Sequence, residues 1–127
     1  MMFTFADYPR REAATWLWDG GRWRQATPAT QPPARLDFAI GYDHRRHRVV
    51  LFGGSWSSAT GSVRLSDTWE WDGVDWQRRF STTSPPATTA ARMAYDPAGQ
   101  RMILFGGVSA FGLSQETWAW DGAQWSR

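Results

Sequence analysis

The chain has 127 residues, a formal net charge of +2, no cysteine, and 42% hydrophobic and 16% aromatic residues. This composition supplies a hydrophobic core, and it excludes disulfides and thiolate chemistry. Apart from the turn 45–48, it also lacks the clustered positive charge that nucleic-acid binding usually requires. No apolar run reaches the ~18 residues of a membrane span, and the first residues do not resemble a signal peptide. We therefore expect no membrane or nucleic-acid partner. We also expect a cytoplasmic location for the chain as encoded, although a longer parent protein could be exported.

The elements predicted in chain order are short strands throughout. The segment 1–31 predicts three, and each of the segments 32–84 and 85–127 predicts four in the same order. The strands predicted in the first two segments are residues 2–5, 15–18, 23–25, 36–42, 48–52, 68–71 and 76–79. Long polar loops are expected at 55–66 and 108–115, and no window has the 3.6-residue period of a helix.

Two motifs repeat along the chain. Leu-Phe-Gly-Gly occurs twice and Trp-x-Trp-Asp-Gly-x-x-Trp three times. The glycines are Gly53, Gly54, Gly106 and Gly107, and the tryptophans of the last two copies are Trp69, Trp71, Trp76, Trp118, Trp120 and Trp125. A period of about 50 residues indicates an array of one repeated unit. Alternation within strand 68–71 places Trp69 and Trp71 on one face and Glu70 on the other.

The order of these motifs resembles a kelch repeat of the bacterial type, as found in the central domain of galactose oxidase. The resemblance covers nearly the whole chain, and the double glycine followed by Trp-x-Trp-Asp-Gly carries it. One departure is Thr88, which stands where Arg35 stands in the preceding unit. The resemblance implies an all-β fold, a partial kelch β-propeller of about two and three-quarter four-stranded antiparallel blades.

The resemblance further implies that the chain is a fragment of a larger propeller of about six or seven blades, or that it associates. As an isolated monomer it would leave sheet edges and tryptophan faces uncovered. A homodimer, or another association, would complete the ring.

The repeated residues are expected to be structural. We expect the double glycines to adopt positive φ or to allow close backbone packing, and the motif tryptophans to pack between sheets. Recurring aspartates fit turn caps better than a single catalytic pair. His44 and His47 lie three apart in a polar turn without a third ligand, so no metal site and no cofactor are predicted.

Residues outside the repeat are the candidates for binding. In the two long loops they are Trp56, Arg64, Phe111 and Gln115, and the turn residues Arg45 and Arg46 form a second patch. The interpretation favoured here is a non-catalytic module that binds a protein partner through these loops.

Two alternatives remain open. The first is a fragment of a propeller enzyme, oxidase-like or epimerase-like, whose active site lies outside this chain. An oxidase site of that kind needs a cysteine crosslinked to tyrosine, and this chain has no cysteine. The second is a carbohydrate-binding module, for which Trp56 and Phe111 are the support.

Overall fold

The computed structural model describes residues 2–4 and 12–127, and all regular structure in them is β-strand. These residues form sixteen strands, and each pairs antiparallel with its neighbours. They are β1 (Met2–Thr4), β2 (Ala14–Trp18), β3 (Trp23–Gln25), β4 (Ala39–Asp43), β5 (Arg48–Phe52), β6 (Ser55–Ser58), β7 (Gly61–Arg64), β8 (Thr68–Trp71), β9 (Trp76–Arg79), β10 (Thr88–Thr89), β11 (Arg92–Asp96), β12 (Arg101–Phe105), β13 (Val108–Ser109), β14 (Gly112–Leu113), β15 (Thr117–Trp120) and β16 (Trp125–Ser126). The prediction of an all-β chain is confirmed.

Three sheets make up most of the fold. The N-terminal sheet has the order β1-β2-β3, the middle sheet β4-β5-β8-β9, and the C-terminal sheet β11-β12-β15-β16. In the middle sheet Leu51 pairs with Trp69 and Trp71 pairs with Trp76. The C-terminal sheet repeats both pairs, as Leu104 with Trp118 and Trp120 with Trp125. The leucine lies 53 residues after its counterpart, and each tryptophan lies 49 residues after its own. The two four-stranded sheets are therefore copies of one unit.

The first strand of the middle sheet begins later than predicted. The apolar run 36–42 indicated one strand, but β4 begins at Ala39. Leu36 instead forms an isolated bridge with Ser55. Asp37 then has a φ of 53°. An extended strand cannot continue through this left-handed conformation. The chain therefore turns between the bridge and β4.

The two segments predicted as polar loops contain β-hairpins. Residues 55–64 form the first hairpin, β6–β7, in which Trp56 pairs with Val63. Residues 108–113 form the second hairpin, β13–β14, which also pairs with β10. The hairpins are held at their bases by backbone hydrogen bonds, such as Leu65 N to Gly54 O at 2.8 Å.

The double glycines connect each second strand to its hairpin. The φ values are 67° and 95° at Gly53 and Gly54, and 74° and 93° at Gly106 and Gly107. A Cβ on Gly54 would lie 2.6 Å from the carbonyl oxygen of Leu36. Glycine is required here because the left-handed turn and the close backbone approach both exclude a side chain.

The core lies between the sheets. One cluster joins the middle and N-terminal sheets, and its buried members are Val49, Leu51, Trp69, Trp71 and Trp76. A second cluster joins the middle and C-terminal sheets, and its buried members are Ala39, Val50, Phe52, Ala91, Met102, Leu104, Trp118, Trp120 and Trp125. The middle sheet is therefore covered on both faces, which is why β5 is a nearly continuous apolar run.

Candidate functional site

The motif tryptophans lie within the structure and connect neighbouring sheets. The indole N–H of Trp76 donates to Oγ1 of Thr15 in the N-terminal sheet at 2.8 Å. The indole N–H of Trp125 donates to Oγ1 of Thr68 in the middle sheet, also at 2.8 Å. All six tryptophans of the last two motif copies are buried. They stabilise the packing of sheets and are not accessible to a ligand.

A buried ion pair anchors the first hairpin. The guanidinium of Arg35 donates to both carboxylate oxygens of Asp67, at 2.5 and 2.8 Å, and to the carbonyl oxygen of Gly53 at 3.1 Å. The indole N–H of Trp69 donates to the same carboxylate at 2.7 Å. Burial tends to raise the pKa of Asp67, but the hydrogen bonds from Arg35 and Trp69 outweigh it, and the pKa is lowered. The carboxylate therefore stays charged and holds both ends of the hairpin together.

The C-terminal sheet lacks the equivalent arginine. Trp118 still donates to a carboxylate, that of Glu116, at 2.9 Å. The guanidinium that pairs with Glu116 comes instead from Arg127, whose side chain is 67% exposed. Thr88 occupies the position of the arginine, and its buried hydroxyl has no hydrogen-bond partner among the described residues. A cavity of about 10 Å³ lies between Thr88, Glu116 and Trp118, which is too small for a ligand.

Arg46, which was predicted to form a second binding patch with Arg45, is held by two carboxylates. Its guanidinium lies 2.7 Å from Asp43 and 2.7 Å from Glu70, and only 24% of the side chain is exposed. Burial would lower the pKa of Arg46, but the ion pairs with Glu70 and Asp43 raise it. Glu70 also accepts the indole N–H of Trp120 at 2.8 Å. Both carboxylates belong to the middle sheet, and Glu70 in turn connects that sheet to the C-terminal one through Trp120. Arg45 is exposed, and a binding role for the two arginines stays a prediction.

The two hairpins present large apolar side chains to solvent. Trp56 is 43% exposed and its cross-strand partner Val63 is 54% exposed. On the second hairpin Phe111 is 91% exposed and Leu113 is 86% exposed. We call these four side chains the hairpin surface. Val63 and Leu113 are not among the predicted residues because their segments were interpreted as loops. A hairpin at 55–64 would have placed Val63 opposite Trp56.

The remaining loop candidates lie beside the hairpin surface. Arg64 is exposed and lines a groove of about 320 Å³, together with Asp37, Ser62 and Thr89. The groove lies between the first hairpin and Thr89 of β10, the strand that pairs with the second hairpin. Gln115 is exposed after the second hairpin. Trp56 and Arg64 thus lie on the first hairpin, Phe111 on the second, and Gln115 just beyond it.

A second concave region lies among the turns, between the N-terminal and middle sheets. This turn cleft has a volume of about 310 Å³. Its lining includes Trp18, Asp19, Arg24, Tyr42, His47 and Asp72. The hydroxyl of Tyr42 lies 3.1 Å from Nδ1 of His47. The cleft therefore combines several aromatic rings with groups that donate or accept hydrogen bonds.

The two carboxylates of the turn cleft cap their own turns. Backbone N–H groups donate to Asp19 at 2.9 Å and to Asp72 at 2.8 Å. These bonds lower the pKa of both aspartates. In each case one oxygen, Oδ1, accepts the backbone bonds. The arrangement keeps both groups ionised at neutral pH, and it fits turn stabilisation better than proton transfer.

Among the described residues, no cluster of three or more histidine and acidic side chains has the geometry to hold a metal ion. Nor does that part of the chain contain a helix long and apolar enough to cross a membrane. The ring of His44 contacts those of Tyr42 and Tyr95, with centroids 4.9 and 5.3 Å apart. His44 is therefore part of an aromatic group at the turns.

No family model and no curated protein matches this chain. The fold is similar to the solved structure of YjhT, with a TM-score of 0.66 and 11% sequence identity. The similarity covers 90% of this chain and 37% of the YjhT chain. The chain therefore spans little more than a third of the length of YjhT, and the likeness at this identity concerns the fold alone.

Proposed function

We propose that the chain is a segment of a kelch-type β-propeller and that it acts as a non-catalytic binding module. Two observations support the first part. The sheets have the strand order of propeller blades, and the same tryptophan–threonine contact joins successive sheets at 2.8 Å. The resemblance of the sequence motifs to a kelch repeat supports the kelch type of propeller.

The hairpin surface is the observation that supports protein binding. Its four side chains are between 43% and 91% exposed, although each is apolar and two are aromatic. Exposed apolar groups clustered on projecting elements are typical of interaction sites. Tryptophan is also enriched among the residues that dominate binding energies. Arg64 adds a positive charge beside them. The partner we propose is a protein with an apolar patch and an adjacent acidic group.

The experiment compares the wild-type chain with the variants Trp56→Ala and Phe111→Ala. Immobilised chains capture proteins from the source lysate, and a captured protein is then purified and its affinity measured by calorimetry. Val74→Ala is the matched control, because Val74 is 78% exposed on a distant turn. We expect each hairpin variant to weaken binding at least about tenfold without changing Tm.

Two results would argue against this function. Captured proteins that bind all four chains equally would not use the hairpin surface. A fall in Tm of more than about 5 °C in Trp56→Ala, on the order of 1 kcal/mol, would instead give that side chain a role in stability.

The turn cleft supports a second function, the binding of a saccharide. Aromatic faces stack on sugar rings, while carboxylate, guanidinium and phenol groups bond to hydroxyls. Tyr42 provides an aromatic ring and a phenol, Arg24 a guanidinium and Asp72 a carboxylate around about 310 Å³. A glycan array tests saccharide binding at the turn cleft. The Tyr42→Ala and Arg24→Ala variants should lose binding to the array, and Trp56→Ala should keep it. Loss only in Trp56→Ala would move the sugar site to the hairpins.

A further inference from the structure

The interface between the middle and C-terminal sheets follows a simple pattern. A tryptophan of the fourth strand, Trp125, donates its indole N–H to Thr68 of the preceding sheet at 2.8 Å. The same indole packs against Phe52 of that sheet, with ring centroids 5.2 Å apart. The tryptophan–threonine contact occurs again one sheet earlier, between Trp76 and Thr15. The fold thus uses one mode of sheet packing twice.

The outer face of the C-terminal sheet carries the receiving half of this pattern. Phe105 stands where Phe52 stands in the middle sheet, and Thr117 stands where Thr68 stands. Phe52 is 1% exposed, whereas Phe105 is 54% exposed. Thr117 is likewise exposed, although Thr68 is buried. The residues that accept a tryptophan are present, and no described residue of the chain covers them.

The outer face of the N-terminal sheet carries the inserting half. Trp23 pairs with Trp18 across β2 and β3, as Trp76 pairs with Trp71 in the middle sheet. Trp76 and Trp71 are 1% and 3% exposed. Trp23 and Trp18 are 43% and 45% exposed. The two ends of the fold are therefore the complementary halves of the contact that its interior uses.

We propose that a second copy of this chain docks head to tail on these faces. Trp23 of one copy packs against Phe105 and bonds to Thr117 of the other, as Trp125 does with Phe52 and Thr68 within the chain. The occupant is a second copy because the inserting and receiving halves belong to the same chain and match an interface that it already forms. Two copies related by a twofold rotation make this contact twice and form a closed pair. Neither face then remains free to bind a third copy.

The proposal does not depend on the hairpin surface, which lies on other strands. Its test is the solution mass by light scattering on a sizing column, at chain concentrations from about 1 to 100 μM. We expect twice the 14.5 kDa mass of the chain. Trp23→Arg and Phe105→Arg should each yield monomers, with affinity lowered at least about thirtyfold. Val74→Arg, which changes an exposed turn residue, should leave the pair intact. Circular dichroism checks that each variant is folded.

Mixing the two variants distinguishes a head-to-tail contact from any other pair. Trp23→Arg keeps the receiving face and Phe105→Arg keeps the inserting face, so an equimolar mixture retains one of the two contacts and brings the two arginines together at the other. The mixture should therefore form a one-to-one complex that neither variant forms alone, with a lower affinity than the wild-type pair. A pair joined through two N-terminal faces would survive Phe105→Arg. That result would overturn the proposal, and so would a monomeric wild-type chain at all concentrations or a mixture that stays monomeric.

Discussion

Replacement of Arg35 by methionine should destabilise the chain by about 3–5 kcal/mol, because removal of one partner leaves a buried charge uncompensated. The side chain of Arg35 is 1% exposed and that of Asp67 is 12% exposed, so little water is available to replace the guanidinium. Methionine keeps most of the aliphatic stem, and the loss is therefore electrostatic. For a chain of 127 residues this corresponds to a fall in Tm of ~10–20 °C.

Urea and thermal unfolding, followed by circular dichroism at pH 7, measure the change. Arg64→Met is the matched control, since Arg64 is exposed and a surface substitution should stay within about 0.5 kcal/mol. The double variant with Asp67→Asn should lose less than the sum of the two single losses, because each single change already breaks the same pair.

The pH dependence supplies a second readout. The pKa of Asp67 is lowered in the folded chain, so the unfolded chain binds more protons as the pH falls. The stabilisation is fully present above the unfolded pKa of about 4 and is lost as the pH falls through the folded pKa. In Arg35→Met the loss of stability below about pH 4 should be shallower. A destabilisation under about 1 kcal/mol at pH 7, or an unchanged pH slope, would refute the reasoning.

Three further outcomes are expected from chemical unfolding. Glu116→Gln should cost less than about 1 kcal/mol, because its partner Arg127 is mostly exposed and exposed pairs contribute little; a larger loss would show that the pair is shielded from water. Thr68→Val should cost about 1–3 kcal/mol, since it leaves the buried indole N–H of Trp125 unpaired, and an unchanged Tm would contradict the contact. Gly54→Ala should cost at least about 1–3 kcal/mol. The residue has a φ of 95°, and the new Cβ would lie 2.6 Å from a carbonyl oxygen. A stabilised variant would be incompatible with this turn.

The main strands could be predicted from sequence because their signals are local. The β-branched and aromatic run from Arg48 to Phe52 and the alternation from Thr68 to Trp71 both form strands with the predicted bounds. Side chains of these types favour a pleated, buried surface wherever they occur. Glycine and aspartate at the intervening turns add a second local signal.

The hairpins and the Arg46 network could not be predicted in the same way. The first hairpin is rich in serine and glycine, which locally favour turns. Its pairing is supported by contacts distant in sequence, including the bridge of Leu36 to Ser55. Arg46 has the sequence of an exposed turn, and only the folded structure brings Glu70 within 2.7 Å of it.

Among the described residues each of the three main sheets contacts the next one along the chain, and the two junctions differ in polar contacts. The N-terminal sheet is attached through the Trp76–Thr15 hydrogen bond and apolar packing, and Thr30 N after it donates to Asp75 at 2.8 Å. The junction with the C-terminal sheet has the matching Trp125–Thr68 and Trp125 N–Ser81 bonds, and it adds bonds from Trp120 to Glu70 and from Arg79 to the carbonyl oxygen of Gly122. Cooperativity in such an array is the sum of nearest-neighbour couplings. Amide exchange should therefore proceed as fraying from the N-terminal sheet, with the slowest amides in β5 at the centre.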